Sequence, residues 1–190
     1  MKILLNSAAL KEELKNDHNL GFVPTMGSIH KGHEYLILRS IKECRKTLVS
    51  IFVNPTQFNN KKDLKNYPRN TKKDLMRLKK LKVDYVFIPK FRDLYRNKRR
   101  KKIKLKKVDN ILCAKYRKGH FEGVLDVMDR LTKLISPNKI FMGEKDYQQY
   151  YLVKKFLRNK YKVNVIRCKT LRLTNKVALS SRNLLLSPKD

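Results

Sequence analysis

Short extended apolar segments alternate with amphipathic ones along this chain, and that alternation restricts the fold more than any other feature of its 190 residues. KILL (residues 2–5) reads as a strand, and SAALKEELKN as a helix opening on Ser7 as its N-cap. GFVPT is a second strand and HEYLILRSIKECRK a helix. TLVSIFV, rich in β-branched residues, reads as a buried parallel strand. NTKKDLMRLKKLK, FEGVLDVMDRLTKLI and DYQQYYLVKKFLRNK carry helical spacing, and VDYVFIP, KIFM and YKVNVIRC fall between or after them as strands. Strand and helix in steady alternation imply an α/β fold, a Rossmann-like parallel sheet with helices on both faces. The length suits one domain, or one domain and the beginning of a second.

Composition then removes several classes. Hydrophobic residues at 41% suffice for a core, which excludes wholesale disorder. No apolar run approaches the roughly 18 residues that span a bilayer, and the N-terminal apolar stretch is too short, and too soon followed by acids, for a leader. Cys44, Cys113 and Cys168 are odd in number with no CxxC pair, which points to reduced thiols and a cytoplasmic setting. The formal charge of +31 suggests nucleic acid. However, only residues 90–107 concentrate it, with eleven basic side chains and one acid, and aromatics do not interleave there as in a stacking platform. Non-specific polyanion binding at low salt is the expectation, with the basic run as a hairpin-like or mobile insertion.

In sheets of this kind ligands bind beyond the carboxyl ends of the strands. Three polar clusters fall there: PTMGSIHKGH, NPTQFNN and GEKDYQQ. His30 and His33 stand where a strand hands over to a helix. Three readings are open for them: a capping and packing pair, two ligands of a metal lacking a third, or donors to phosphate at a helix N-terminus. In the third, Gly32 admits a ligand close to the backbone.

HKGH resembles the His-x-Gly-His element of the nucleotidyltransferase superfamily. With SIFVNPTQF, YPRN, GHFEGV, MGEKDYQQ and ALSSRN in the same order, the chain resembles the pantothenate synthetase (pantoate–β-alanine ligase) family. That resemblance implies a ligase acting in pantothenate and hence coenzyme A synthesis. It would use ATP with Mg²⁺ to join pantoate and β-alanine through a pantoyl-adenylate, releasing AMP and pyrophosphate. It implies that Met26, Gly27, Ser28, Ile29, His30, Lys31, Gly32 and His33 surround ATP, with His33 at the proton-donor position and His30 and Lys145 on the phosphates. Gly143, Glu144, Lys145 and Asp146 form a second ATP-binding stretch, Leu171 meets adenine, and Leu179, Ser180, Ser181 and Arg182 hold the triphosphate. Gln57 and Gln149 read pantoate, Pro24 and Met26 wall it, Asn54 and Tyr67 are neighbours, and Asp74 falls at a metal position, preceded by Lys73 rather than an acid. A homodimer is implied too. Residues 1–170 would be the ATP- and pantoate-binding domain and residues 171–190 the start of a C-terminal lid, largely absent from these 190 residues. The stretch LCAKYRKGHF departs from the family pattern at Cys113, Ala114 and Lys118. The alternatives are another nucleotidyltransferase with the same His-x-Gly-His core, or a non-catalytic basic chain that binds RNA.

Overall fold

A computed structural model describes residues 1–95 and 103–187. Its six strands are β1 (Lys2–Leu4), β2 (Leu20–Thr25), β3 (Lys46–Ile51), β4 (Tyr85–Phe87), β5 (Lys139–Gly143) and β6 (Asn164–Cys168). They form one sheet in the order β1-β4-β3-β2-β5-β6, every pairing parallel. The helices are α1 (Ser7–Glu13), α2 (Lys31–Glu43), α3 (Lys61–Asn66), α4 (Thr71–Lys80), α5 (Phe91–Leu94), α6 (Cys113–Tyr116), α7 (His120–Ile135) and α8 (Tyr147–Arg158).

The pleat sends successive side chains to opposite faces, and the strand sequences supply apolar residues at both parities. Phe22, Leu48, Phe87 and Ile140 join one core with Leu10 of α1 and with residues of α7 and α8. Their neighbours Val23, Val49, Val86 and Phe141 join a second core with Leu36 and Ile37 of α2 and Leu78 of α4. This doubly covered parallel sheet is the expected architecture.

From β2 the chain winds outward through β3 and β4 on one side, then restarts at β5 and β6 on the other. The switch therefore falls between β2 and β5, and two of the three polar clusters leave from those strands. Among the differences from sequence expectation, the N-cap of α1 is Asn6: its side chain accepts from the amides of Ala8 and Ala9, and Ser7 is the first helical residue. Asn and Ser cap about equally well, so adjacency alone could not choose. The helices α3, α5 and α6, at four to six residues, are too short to impose a period. The expected basic insertion falls in its middle on residues 96–102, outside the described residues. After β6, residues 171–187 double back through an isolated bridge between Arg172 and Ala178 and end in a tight helical turn, Ser181–Leu185.

Candidate functional site

A cleft of about 250 Å³ opens at the carboxyl ends of β2, β3, β5 and β6. Its wall contains Pro24, Met26, His30, Gly32, His33, Asn54, Gln57, Tyr67, Gly143, Lys145, Asp146, Gln149, Leu171, Leu179, Ser180, Ser181 and Arg182. These came from six separate stretches of sequence, and the fold brings them to one place.

The loop after β2 is held by its own backbone and by one distant carboxylate. Thr25 Oγ1 donates to the Ser50 carbonyl at 2.6 Å and accepts from the Gly27 amide at 3.2 Å. Gly27 at φ 84° and Ser28 at φ 52° then turn the chain through left-handed geometry. The turn exposes two amides, and Asp74 takes both: Oδ2 from Ser28 at 2.9 Å and Oδ1 from Ile29 at 2.7 Å. Asp74 is buried on α4, so it fastens the loop to that helix. This geometry gives Asp74 a task other than the expected metal contact. Among the described residues no three His, Cys, Asp or Glu side chains gather as a cation site.

His30 caps α2, its Nδ1 accepting from the Gly32 amide at 3.1 Å. An acceptor at Nδ1 fixes the neutral tautomer with hydrogen on Nε2, so the ring presents a donor. A Cβ at position 32 would lie 2.8 Å from His30 Cε1 and 2.9 Å from Nδ1. The glycine thus makes room for the folded-back imidazole, whereas the sequence reading assigned it to ligand approach. His33 packs against His30 with ring centroids 4.1 Å apart, and its Nδ1 is buried with no hydrogen-bond partner among the described residues. The capping-pair reading and the cleft-donor reading therefore describe the same two residues. Burial, His30 and Lys145 pull the His33 pKa down to about 3; burial, Lys145 and Arg77 lower that of His30. Both rings are neutral at pH 7.

Asn54 is a hub. Its amide donates to Gln57 Oε1 at 3.1 Å and to the Gly123 carbonyl at 3.2 Å, while Oδ1 accepts from Thr56 and from the Tyr95 hydroxyl. With both amide hydrogens committed, Asn54, expected only as a neighbour of the pantoate side, shapes the wall by holding Gln57. Gln57 Nε2 also donates to Met26 Sδ at 3.3 Å, which ties the two pantoate-side expectations together. Gln149 enters from α8 on the opposite side.

Residues 179–182 close the mouth. Ser181 Oγ donates to the Ser28 carbonyl at 3.2 Å, and Arg182 pairs with Asp63 at 2.9 Å above the Tyr67 ring. Lys145 Nζ lies 3.2 Å from Asp146. The remaining expected residues stand back from the cleft: Gly27, Ser28 and Ile29 form the turn and Lys31 is exposed. Glu144 pairs with Arg167 at 3.3 Å beside a shallower depression shared with Lys145, Lys169, Thr170 and Arg172.

Sequence reasoning left out Thr25, Ser50, Phe52, Arg117, His120, Lys169 and Thr170, all of which line the cleft. The rule of strand carboxyl ends covers Thr25 as the last residue of β2, Phe52 after β3, and Lys169 and Thr170 after β6. His120, the first residue of α7 after a left-handed Gly119, repeats the glycine-and-histidine helix start seen at His33.

A family model described as pantoate-beta-alanine ligase matches residues 2–190. A pantothenate synthetase of Pseudothermotoga lettingae is 42% identical over 179 residues, covering 94% of this chain and 64% of that protein. One of Leptospira biflexa is 41% identical over 183 residues, covering 95% and 65%. The chain thus spans a little under two thirds of the length of these curated relatives. The crystal structure of pantothenate synthetase from Thermus thermophilus superposes with a TM-score of 0.95 at 36% identity, over 100% of this chain and 69% of that one. A pantoate-beta-alanine ligase from Francisella tularensis, described as complexed with beta-gamma ATP and β-alanine, superposes at 0.97 with 39% identity, over 100% and 75%.

Proposed function

The chain belongs to the pantoate–β-alanine ligase family, and we propose that it supplies the ATP- and pantoate-binding part of such a ligase, joining pantoate to β-alanine through a pantoyl-adenylate. The observation that carries this reading is that Gln57 and Gln149 enter one cleft from different elements, between the His30–His33 helix start and the Ser180–Arg182 turn. Two amides can read the hydroxyls and carboxylate of a small polyol acid without adding charge. Donors at a helix N-terminus, with Lys145 and Arg182, suit a triphosphate.

In the first step the pantoate carboxylate would attack the α-phosphorus, the bond to the β-phosphate oxygen would break, and pyrophosphate would leave. Negative charge gathers at phosphorus, so placement and fixed donors carry the step. The Nε2–H of His30 is such a donor. His33 lines the cleft beside it and, stacked on His30, would hold that ring in place. Pro24, Met26 and Phe52 line an apolar side of the cleft suited to the gem-dimethyl group. In the second step the amine of β-alanine would attack the acyl carbon and AMP would leave. Mg²⁺, when bound, neutralises phosphate charge; the described residues offer it no protein cage, so nucleotide and water would be its main ligands.

The test is pantoate-dependent pyrophosphate release by the 190-residue chain with ATP and Mg²⁺, followed by AMP formation on adding β-alanine. Release that requires pantoate and is lost in His33→Ala supports the reading. Release driven by another acceptor in a substrate screen points to a different nucleotidyltransferase. No release, together with no ATP binding by calorimetry, removes the reading.

A further inference from the structure

Among the histidines lining the cleft, His120 carries the opposite hydrogen-bonding polarity to His30. Its Nδ1 lies 2.7 Å from the Gln57 carbonyl. A carbonyl only accepts, so Nδ1 carries the hydrogen and Nε2 of the neutral ring holds a lone pair. Nε2 has no partner among the described residues, and the ring lines the cleft. His30 thus offers the site a donor, and His120 an acceptor.

The ring is held rigidly. Gly119, at φ 79°, turns the chain into α7. One turn later Gly123 is pressed against the Pro55–Gln57 turn so closely that a Cβ there would lie 2.5 Å from the Thr56 carbonyl oxygen and 3.0 Å from Gln57 Cα. Asn54 ties the same turn to the Gly123 carbonyl, and Asn59 donates to the Lys118 carbonyl at 2.5 Å. His120 and Gln57 therefore move as one body.

The charged groups facing the ring are Arg117 from the turn before α7, Asp146 from the turn after β5 and Arg182 from the returning segment. Burial lowers its pKa below the usual histidine value; the bond to the Gln57 carbonyl opposes this and Arg117 adds to it. At pH 7 the lone pair is available.

We propose that His120 Nε2 is the base that takes a proton from the incoming amine in the second half-reaction. The inference rests on the proposed ligase function. β-Alanine arrives as an ammonium ion, which has no lone pair to attack with. Transfer of one proton to Nε2 frees the amine. Its electron pair forms the C–N bond at the acyl carbon, and the C–O bond to AMP breaks with its electrons on the phosphate oxygen. The second proton, shed as the nitrogen becomes an amide, passes to water. The imidazolium then returns its proton to solvent.

The experiment uses His120→Asn, whose side-chain amide can still donate to the Gln57 carbonyl but has no basic nitrogen. Pyrophosphate release with pantoate alone and AMP formation with β-alanine are measured separately from about pH 6 to 9. A general base contributes about 10²–10⁴-fold, so AMP formation falls at least about 100-fold while pantoate-dependent release persists. The residual rate should rise steadily with pH. Hydroxylamine, already neutral at pH 7, should restore acyl transfer in the variant. His120→Gln guards against an idiosyncratic failure of one replacement. If AMP formation with β-alanine stays near the parent's, or hydroxylamine reacts no better than β-alanine, the base role is overturned and the ligase reading survives. If the parent itself shows no pantoate-dependent release, the ligase reading fails and the inference with it.

Discussion

His33 joins the chemistry of the cleft to the stability of the fold. It ionises near 6.5 in an unfolded chain and only near 3 here, because burial, His30 and Lys145 all disfavour the charged ring. A group held neutral in the fold contributes stability that is complete above pH 6.5 and is lost as pH falls toward 3. At pH 5 the expected loss is about 2 kcal/mol, from 1.36 kcal/mol per unit over about 1.5 units. Urea unfolding at about pH 7.5 and pH 5 measures it. His33→Asn should flatten that pH dependence, and an unchanged slope would refute the assignment. Asp74 sets a second test. Its carboxylate takes two loop amides, each charge-assisted bond worth about 1.5–3 kcal/mol, so Asp74→Asn should cost roughly 2–4 kcal/mol and weaken ATP binding whether or not Mg²⁺ is present. A metal ligand would instead shift the Mg²⁺ dependence and leave the melting temperature of the metal-free chain alone. The His-x-Gly-His element was legible because its spacing is local. The task of Asp74 was not, because it reaches a loop 46 positions away in sequence.

The longer helices could be read from periodicity, since each buries one apolar face for two turns or more, and the strands from short apolar runs that are buried on both faces of the sheet. The junction between α7 and the Pro55–Gln57 turn could not, and it decides where Gln57 and His120 stand. Gly123 lies inside a helix, where alanine would ordinarily be favoured by about 1 kcal/mol. Here the added methyl would meet the Thr56 carbonyl at 2.5 Å. A backbone carbonyl cannot rotate aside as a side chain can, so the clash prevails. Gly123→Ala should destabilise the protein by about 1–3 kcal/mol net and, by shifting Gln57, weaken pantoate binding more than ATP binding. Thermal melts and separate titrations with the two ligands check both parts; a stabilised variant would mean that the junction is looser than described.

Across the whole molecule, 47 basic residues face 16 acidic ones, and any polyanion will be drawn to such a chain at low salt. That general attraction and a built triphosphate site predict different behaviour. In the site, His30 presents a donor, Lys145 and Arg182 line the same cleft, and the turn carrying Arg182 is tied to the first loop through Ser181 and Ser28. Binding there stabilises the fold by RT ln(1 + [L]/Kd). For about 1 mM ATP and a dissociation constant of about 100 μM this is about 1.4 kcal/mol, or roughly 3–6 °C in Tm for a chain of this size. The shift should saturate, survive about 150 mM NaCl in large part, and disappear in the Lys145→Ala, Arg182→Ala double variant, which removes only two of the 47 positive charges. Diffuse attraction would do the reverse. It would respond alike to ATP, tripolyphosphate and RNA at equal charge, fade steeply with salt, and scarcely notice the loss of two cations. A melt series with the three polyanions at two salt concentrations separates these outcomes. A shift that follows total charge and ignores the double variant would leave the convergence of six sequence stretches on one cleft without a nucleotide to explain it.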